Sequence, residues 1–145
     1  MTGGSAAYRR VEVETASREK LVVMLYNGAI KHVEDGKRAI ASKDLRATHD
    51  HLLRAQEIVT ELRGALDLSA GEIAYKLDRI YGYLHRLLVQ ANLKKDAAPL
   101  DECLTHLRDL RDTWAEISAR PASAGALAAV PTHNAHGNTV INFAG

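Results

Sequence analysis

Apolar residues recur in alternating steps of three and four along most of the chain, which is the spacing of helices that pack on one another. Short polar breaks divide this pattern into four segments, at about residues 17–41, 44–66, 69–92 and 96–120. Helices of matching length joined by short connections pack as antiparallel neighbours. The pattern therefore predicts an all-α, up-down four-helix bundle over residues 15–120.

Residues that favour helix starts stand at the predicted boundaries. Ser17 and Asp44 are typical N-caps, whose side-chain oxygens accept a hydrogen bond from the first turn. Residues 69–72 have the spacing of a capping box, and Asp96 precedes Pro99, which a first helical turn tolerates. These local signals predict the same four starts as the apolar spacing does.

Each predicted helix carries an apolar series that is expected to face the core. The first helix is apolar almost all round and needs cover on several sides, and its Gly28 is expected to mark a close approach of another helix. The series on the other three helices are Leu45, Thr48, Leu52, Ala55, Val59, Leu62 and Leu66; Ile73, Leu77, Ile80, Leu84, Leu87 and Ala91; and Leu100, Cys103, Leu107, Leu110, Trp114 and Ile117.

Residues 1–14 and 121–145 differ in composition from the helical segments. The first stretch is small and polar apart from a few anchors such as Tyr8, and it is predicted to be a flexible N-terminal arm. The second contains no Lys, Arg, Asp or Glu and is rich in Ala, Gly and Asn, so it buries too little surface to fold alone. It is predicted to be a disordered, low-complexity tail.

Charge and cysteine content narrow the class of protein. The 145 residues carry 19 Lys and Arg against 18 Asp and Glu, so no excess charge attracts nucleic acid or an anionic membrane. Cys103 is the only cysteine, which favours a reducing compartment. The N-terminal residues lack the hydrophobic core of a secretion signal, and no apolar stretch approaches the ~20 residues of a membrane span. The prediction is a cytoplasmic protein without nucleic-acid binding or membrane insertion.

Metal, cofactor and catalytic sites are not predicted. The sequence lacks the glycine-rich motifs of nucleotide binding, and no His follows a Glu by three residues, the spacing of di-iron bundles. His49 and His51 point to different faces of a helix, and His32 and His85 are each expected to be packed or solvated. Cys103 falls on an apolar face, where an inert core residue is expected. The chain is therefore predicted not to be an enzyme.

Apolar side chains at outward positions are the main candidates for a functional surface. On the third helix they lie opposite the core series, with Gly82 between them leaving a shallow notch, whereas the outer face of the fourth helix is polar. Two interpretations stay open: these residues form a docking surface, or a distorted bundle or the flanking segments cover them. The candidates are Val23, Tyr26 and Ile30 on the first helix, Leu53 and Ile58 on the second, and Tyr75, Tyr83, Val89 and Leu93 on the third.

Several segments of the chain resemble the flagellin export chaperones of the FliS family. The resemblance starts with Thr15-Ala16-Ser17 and the run from Leu21 to Ile30, and it continues in order through residues 55–58, 66–67, 91–96 and 110–114. It covers about residues 8–117. Arg18 departs from the family, which usually has a proline after the serine.

The resemblance implies a cytoplasmic, non-catalytic bundle without cofactors. Members of the family bind the C-terminal segment of newly made flagellin, prevent its premature polymerisation and deliver it to the flagellar type III export gate. Tyr8 stands where the family has a tyrosine in a segment associated with the client groove, so it joins the candidate partner-binding residues. The alternative is a helical adaptor or regulator that binds another amphipathic segment, and a metal-bearing bundle is a third class.

Overall fold

The structure, a computed structural model, describes residues 17–119. The predicted arm with Tyr8 and the predicted tail lie outside the described residues. Within them the chain forms four α-helices and one 3₁₀ turn, which confirms the predicted all-α four-helix bundle. The helices are α1 (Arg18–Ala41), α2 (Leu45–Gly64), α3 (Glu72–Lys94) and α4 (Ala98–Ser118), and the 3₁₀ turn spans Leu68–Ala70.

The four helices form a closed ring around one core. Helices α1 and α3 each pack against both α2 and α4, and short connections make helices that follow one another antiparallel. None of the helices within residues 17–119 combines the length and the apolar composition that a membrane span requires. The largest fully buried apolar side chains at the centre are Val22, Tyr26, Val33, Leu52, Val59, Leu62, Leu84, Leu88, Leu100 and Leu107.

Local capping explains where the first two helices begin. The Ser17 side chain accepts a hydrogen bond from the Lys20 amide at 3.3 Å, and Asp44 accepts one from Ala47 at 3.0 Å, as predicted. The Asp96 carboxylate accepts from the Ala98 amide at 3.0 Å, in the connection just before α4. These oxygens satisfy amide groups that no helical carbonyl reaches.

The capping box predicted at the start of α3 is wrong. Ser69 belongs to the 3₁₀ turn, where its amide and its hydroxyl both donate to Asp67 Oδ1, at 3.0 and 2.5 Å. Gly71 precedes α3 instead, with a φ of 113° and no side-chain cap. This φ lies in a region that favours glycine, so the chain reverses at Gly71 before α3 begins.

Two side chains predicted to face outward on α1 are buried. Tyr26 and Ile30 are 0% and 5% exposed, because α1 is covered by α2 on one side and by α4 on the other. The hydroxyl of Tyr26 lies 2.5 Å from the hydroxyl of Tyr81 on α3, across the core. A buried phenol needs such a partner, and this pair satisfies both residues.

Two residues predicted to belong to the core are exposed. Leu45 begins α2 and Ile73 lies in the first turn of α3, and both side chains are at least half accessible to solvent. Arg63 near the end of α2 bonds Asp78 of α3, so the first turn of α3 extends beyond α2. The apolar spacing continues to the helix termini and does not show where α2 ends, so the sequence assigns both positions to the core.

The close approach expected at Gly28 occurs at Gly36. A Cβ added to Gly28 would lie 3.4 Å from Ile58 Cδ1, which is ordinary van der Waals contact. A Cβ on Gly36 would lie 2.6 Å from Leu52 Cδ2, which leaves no room for a side chain. Gly36 therefore allows α2 to pack directly on the backbone of α1.

Candidate functional site

Exposed apolar side chains gather at one end of the bundle, around the 3₁₀ turn and the start of α3. Leu68, Ile73 and Tyr75 are 40%, 50% and 56% exposed, although all three are large and apolar or aromatic. We call these three residues the first end cluster, within which Ile73 and Tyr75 are two positions apart and point to different faces of α3. Its position follows from the fold, because the reversal at Gly71 places the turn and the first turn of α3 beyond the end of α2.

A second group lies at the opposite end of the same two helices. Leu45 at the start of α2 and Leu93 near the end of α3 are 62% and 80% exposed. A hydrogen bond of 3.0 Å between Asn92 Nδ2 and His49 Nδ1 joins α3 to α2 at this end. We call Leu45 and Leu93 the second end cluster.

The middle of α3 lacks the open notch that Gly82 was predicted to leave. Gly82 is buried, and a Cβ added to it would lie 3.0 Å from Nη1 of Arg63. Arg63 Nε donates to Asp78 Oδ1 at 2.8 Å, so the guanidinium is held over Gly82. This bond to Arg63 lowers the pKa of Asp78 and raises that of Arg63.

Tyr83 lies over the groove between α3 and α4 and is engaged in contacts within the protein. Its hydroxyl donates to Glu102, its ring meets the ring of His106 edge-on, and the guanidinium of Arg86 lies 5.8 Å from the ring centre. The hydrogen bond to Glu102 raises the pKa of Tyr83. A shallow depression of about 360 Å³ lies beside Tyr83, lined also by Lys76, Arg79, Ile80 and His106.

The outer face of α4 is polar, as predicted, and every position predicted for it is exposed. Ion pairs also join α4 to α1, between Glu34 and Arg108 at 2.8 Å and between Lys37 and Asp101 at 2.5 Å. Within residues 17–119 the large exposed apolar residues lie on α2, α3 and the turn between them, among charged side chains such as Lys76 and Arg86, and none lies on α4. The outer positions of α4 are Asp101, Glu102, Thr105, Asp109, Asp112 and Glu116.

The remaining predicted residues occupy intermediate positions. Leu53 on α2 is exposed, in agreement with the outward position expected from the sequence. Val23 and Ile58 are partly buried against the core, and Val89 is partly buried on α3. The sequence pattern assigned Leu45 and Ile73 to the core and singled out no role for Leu68, because spacing alone does not show where a neighbouring helix stops.

Buried groups with altered pKa values have structural partners in the core. Burial raises the pKa of the Cys103 thiol to about 12, so the thiolate needed for nucleophilic chemistry does not form near neutral pH. Burial likewise raises the pKa of Tyr81 to about 12 and that of Tyr26 well above its usual value. Among residues 17–119, every buried side-chain nitrogen or oxygen has a hydrogen-bond partner.

The sequence pattern did not predict one cluster of possible metal ligands. His32 and Asp35 on α1 meet His51 on α2, and all three are partly buried. Burial lowers the pKa of His32, and the neighbouring His51 lowers it further. The sequence offered no signal for this contact, because the register between two helices is not visible in the spacing along either one.

Comparisons with known proteins agree on one family. A sequence model described as "Flagellar protein FliS" matches residues 1–121. The Flagellar secretion chaperone FliS of Bacillus subtilis is 36% identical over 108 residues, which is 74% of this chain and 80% of the relative. Those of Vibrio cholerae and Salmonella typhimurium are each 33% identical, over 81% of this chain and 90% and 91% of the relatives.

Proposed function

Because the chain belongs to the FliS family, we propose that it is a cytoplasmic export chaperone for flagellin. In this proposal it binds the C-terminal segment of flagellin, prevents premature polymerisation and delivers the subunit to the flagellar type III export apparatus. The names of the relatives, which are flagellar secretion chaperones, support this role.

The observation that carries the proposal is the uneven distribution of exposed apolar residues. They occupy both ends of the α2 and α3 side, with Leu53 and Tyr83 between the ends, and the outer face of α4 has none at its predicted positions. Large exposed apolar groups on part of a surface are typical of protein-binding sites. Cys103 is inert and the two buried tyrosines bond each other, so neither suggests a buried site for covalent chemistry.

The separation of the two end clusters suits an extended client. Tyr75 and Leu93 lie at almost the same angle on α3 and are separated by five helical turns, or roughly 27 Å. An extended chain spans at most about 3.3–3.6 Å per residue, so a client that reaches both clusters needs at least about eight residues. A segment released from an unfolded flagellin terminus meets this requirement, and a compact protein surface does so less readily.

The proposed contact residues are those accessible to a partner. Tyr75, Leu93 and Leu53 are exposed, and Val89, Val23 and Ile58 add partly accessible surface. Tyr83 requires a change of partners, since its hydroxyl already donates to Glu102. The proposal leaves out the fully buried Tyr26, the buried Ile30 and Gly82, because contact with them requires the bundle to open or Arg63 to move. Tyr8 stays in the proposal and lies outside the described residues.

Calorimetry with a peptide from the C-terminus of the cognate flagellin tests the proposal. Burial of apolar surface should give a clearly negative heat-capacity change, with a weak dependence on salt because few exposed charges take part. A peptide with its apolar residues replaced by Ser is the matched control and should not bind. Absence of binding by the unmodified peptide and by full-length flagellin contradicts the proposal, and capture of a different flagellar protein supports the adaptor alternative.

A further inference from the structure

The close contact at Gly36 brings three polar side chains of α1 and α2 together. A Cβ on Gly36 would lie 3.7 Å from the Cβ of His51, so His51 rests against the backbone of α1. His32 and Asp35 lie on α1 within the turn that precedes Gly36. All three side chains therefore meet beside the groove between α1 and α2, and each keeps part of its surface accessible to solvent.

The distances between these groups match those around one metal ion. The Nδ1 atoms of His32 and His51 lie 3.2 Å apart and share a hydrogen bond, whose proton a metal ion would replace. Two imidazole nitrogens bound to tetrahedral zinc at ~2.0–2.1 Å stand roughly 3.3 Å apart. Asp35 Oδ2 lies 4.0 Å from His51 Nδ1, and the three ligand atoms all lie within 4.8 Å of one another. The Asp35 oxygen has to move closer to the two nitrogens to complete a three-ligand set.

The surroundings of Asp35 orient it for such a role. Arg38 Nη2 donates to Asp35 Oδ1, which is the oxygen that does not face His51. Partners of this kind commonly fix the orientation of metal-ligating carboxylates. Partial exposure of His51 and Asp35, at 34% and 22% of their side chains, leaves access for the ion and for water at the remaining position.

We propose that His32, Asp35 and His51 form a binding site for a divalent transition-metal ion, of which Zn²⁺ is the representative. Two imidazole nitrogens and one carboxylate oxygen form a common zinc ligand set, with water as the fourth ligand. The ion joins α1 to α2 directly. Because the site exists only when the two helices are packed, bound metal stabilises the folded protein.

The test uses the full chain without an affinity tag, freed of metal with a chelator. Titration with Co²⁺ should give the visible absorption of a low-coordinate site that saturates at one equivalent, and Zn²⁺ should displace the Co²⁺ and raise the melting temperature. His51→Gln should lower the Zn²⁺ affinity at least tenfold and remove the rise in melting temperature. Asp35→Asn should lower the affinity less, because both imidazoles remain.

Two control variants separate this site from other histidines. His49→Gln lies on the same helix but contacts Asn92, and it should bind Zn²⁺ as the wild type does. His133→Gln/His136→Gln removes the histidines outside the described residues and should also leave binding unchanged. Unchanged Zn²⁺ affinity in both His32→Gln and His51→Gln, with circular dichroism showing folded proteins, overturns the proposal. Loss of Zn²⁺ binding in the His133→Gln/His136→Gln variant also overturns the proposal.

Discussion

The outer faces of α3 and α4 differ in chemistry although the two helices pack side by side in one bundle. Helix α3 exposes Tyr75 and Leu93 at its two ends, whereas the outer positions of α4 hold only Asp, Glu and Thr. Both helices bury apolar inner faces in the same core. Folding therefore does not explain the apolar residues on the outside of α3, because α4 folds without them.

This difference separates what the fold requires from what a partner requires. A helix in a bundle needs one apolar face, and a polar outer face keeps it in solution. Exposed Tyr and Leu contribute little to stability and increase the risk of association. Within residues 17–119 they are restricted to the α2 and α3 side, which is the physical reason to place the proposed client there. Four predictions test this comparison, in order of decreasing effect.

The largest effect is expected on the inner face of α3. Leu84 is fully buried, so Leu84→Asp places a carboxylate without a partner in the core. We expect a loss of several kcal/mol and an unfolded protein, measured by urea denaturation and circular dichroism. Asp109→Ala on the outer face of α4 is the control, with an expected change below about 0.5 kcal/mol. Similar melting of the two variants contradicts the assignment of inner and outer faces.

Most of the fold follows from local signals that the sequence contains. Ser17 and Asp44 cap their helices as predicted, since capping depends on residues within one turn. The periodicity also predicts four helices correctly, because each one buries a continuous face. The predicted capping box at Ser69 is wrong, because the spacing from Ser69 to Glu72 does not reveal that Ser69 donates to Asp67 in a 3₁₀ turn.

The surface was harder to predict, because it depends on how helices are rotated and where they end. Periodicity gives the angles between residues of one helix, but not which neighbours cover it, so Tyr26 and Ile30 were assigned outward. Contacts between helices were also invisible in the sequence. Arg63 covers Gly82 across the α2–α3 boundary, and His32 meets His51 across the α1–α2 boundary. Neither pair has a fixed spacing in the chain.

The second prediction concerns the buried tyrosine pair of the core. An unfolded tyrosine has a pKa of about 10, and burial raises that of Tyr81 to about 12. Since the folded pKa is the higher one, the stability that Tyr81 contributes is complete below pH 10 and is lost as the pH rises to 12. The expected loss in the free energy of unfolding is roughly 2 to 3 kcal/mol, followed by urea denaturation across this range.

Two variants show whether the buried pair causes this loss. Tyr26→Phe/Tyr81→Phe removes both hydroxyls and should reduce the loss of stability between pH 10 and 12, even if the starting stability is lower. The part that the buried Cys103 thiol contributes should remain. Cys103→Ala should remove the part of the loss that the buried thiol contributes, because burial raises the pKa of this thiol to about 12 as well. If the double variant loses stability as steeply as the wild type does, groups other than the two tyrosines cause the loss.

The third prediction concerns client affinity on the outer face of α3. Tyr75→Ser/Leu93→Ser removes an exposed side chain from each end cluster, so the melting temperature should stay near that of the wild type. The affinity for the flagellin peptide should fall at least tenfold, or about 1.4 kcal/mol. Asp109→Ser/Asp112→Ser is the matched change on α4 and should leave the affinity within twofold. If the wild type and the two double variants bind the peptide equally well, the end clusters do not belong to the proposed site.

The smallest effect is expected in the middle of α3, between the end clusters. In Gly82→Ala the new methyl group meets the guanidinium of Arg63, a flexible group that shifts at little cost. Alanine favours a helix over glycine by about 1 kcal/mol, and the exposed Arg63–Asp78 pair that it disturbs contributes little to stability. The net change in stability should therefore stay below about 1 kcal/mol, measured by urea denaturation.

Peptide affinity should stay within threefold, because a client anchored at Tyr75 and Leu93 spans this region without needing Gly82. A tenfold loss of affinity with unchanged stability instead places the client on the middle of α3, and the two end clusters then belong to one continuous contact.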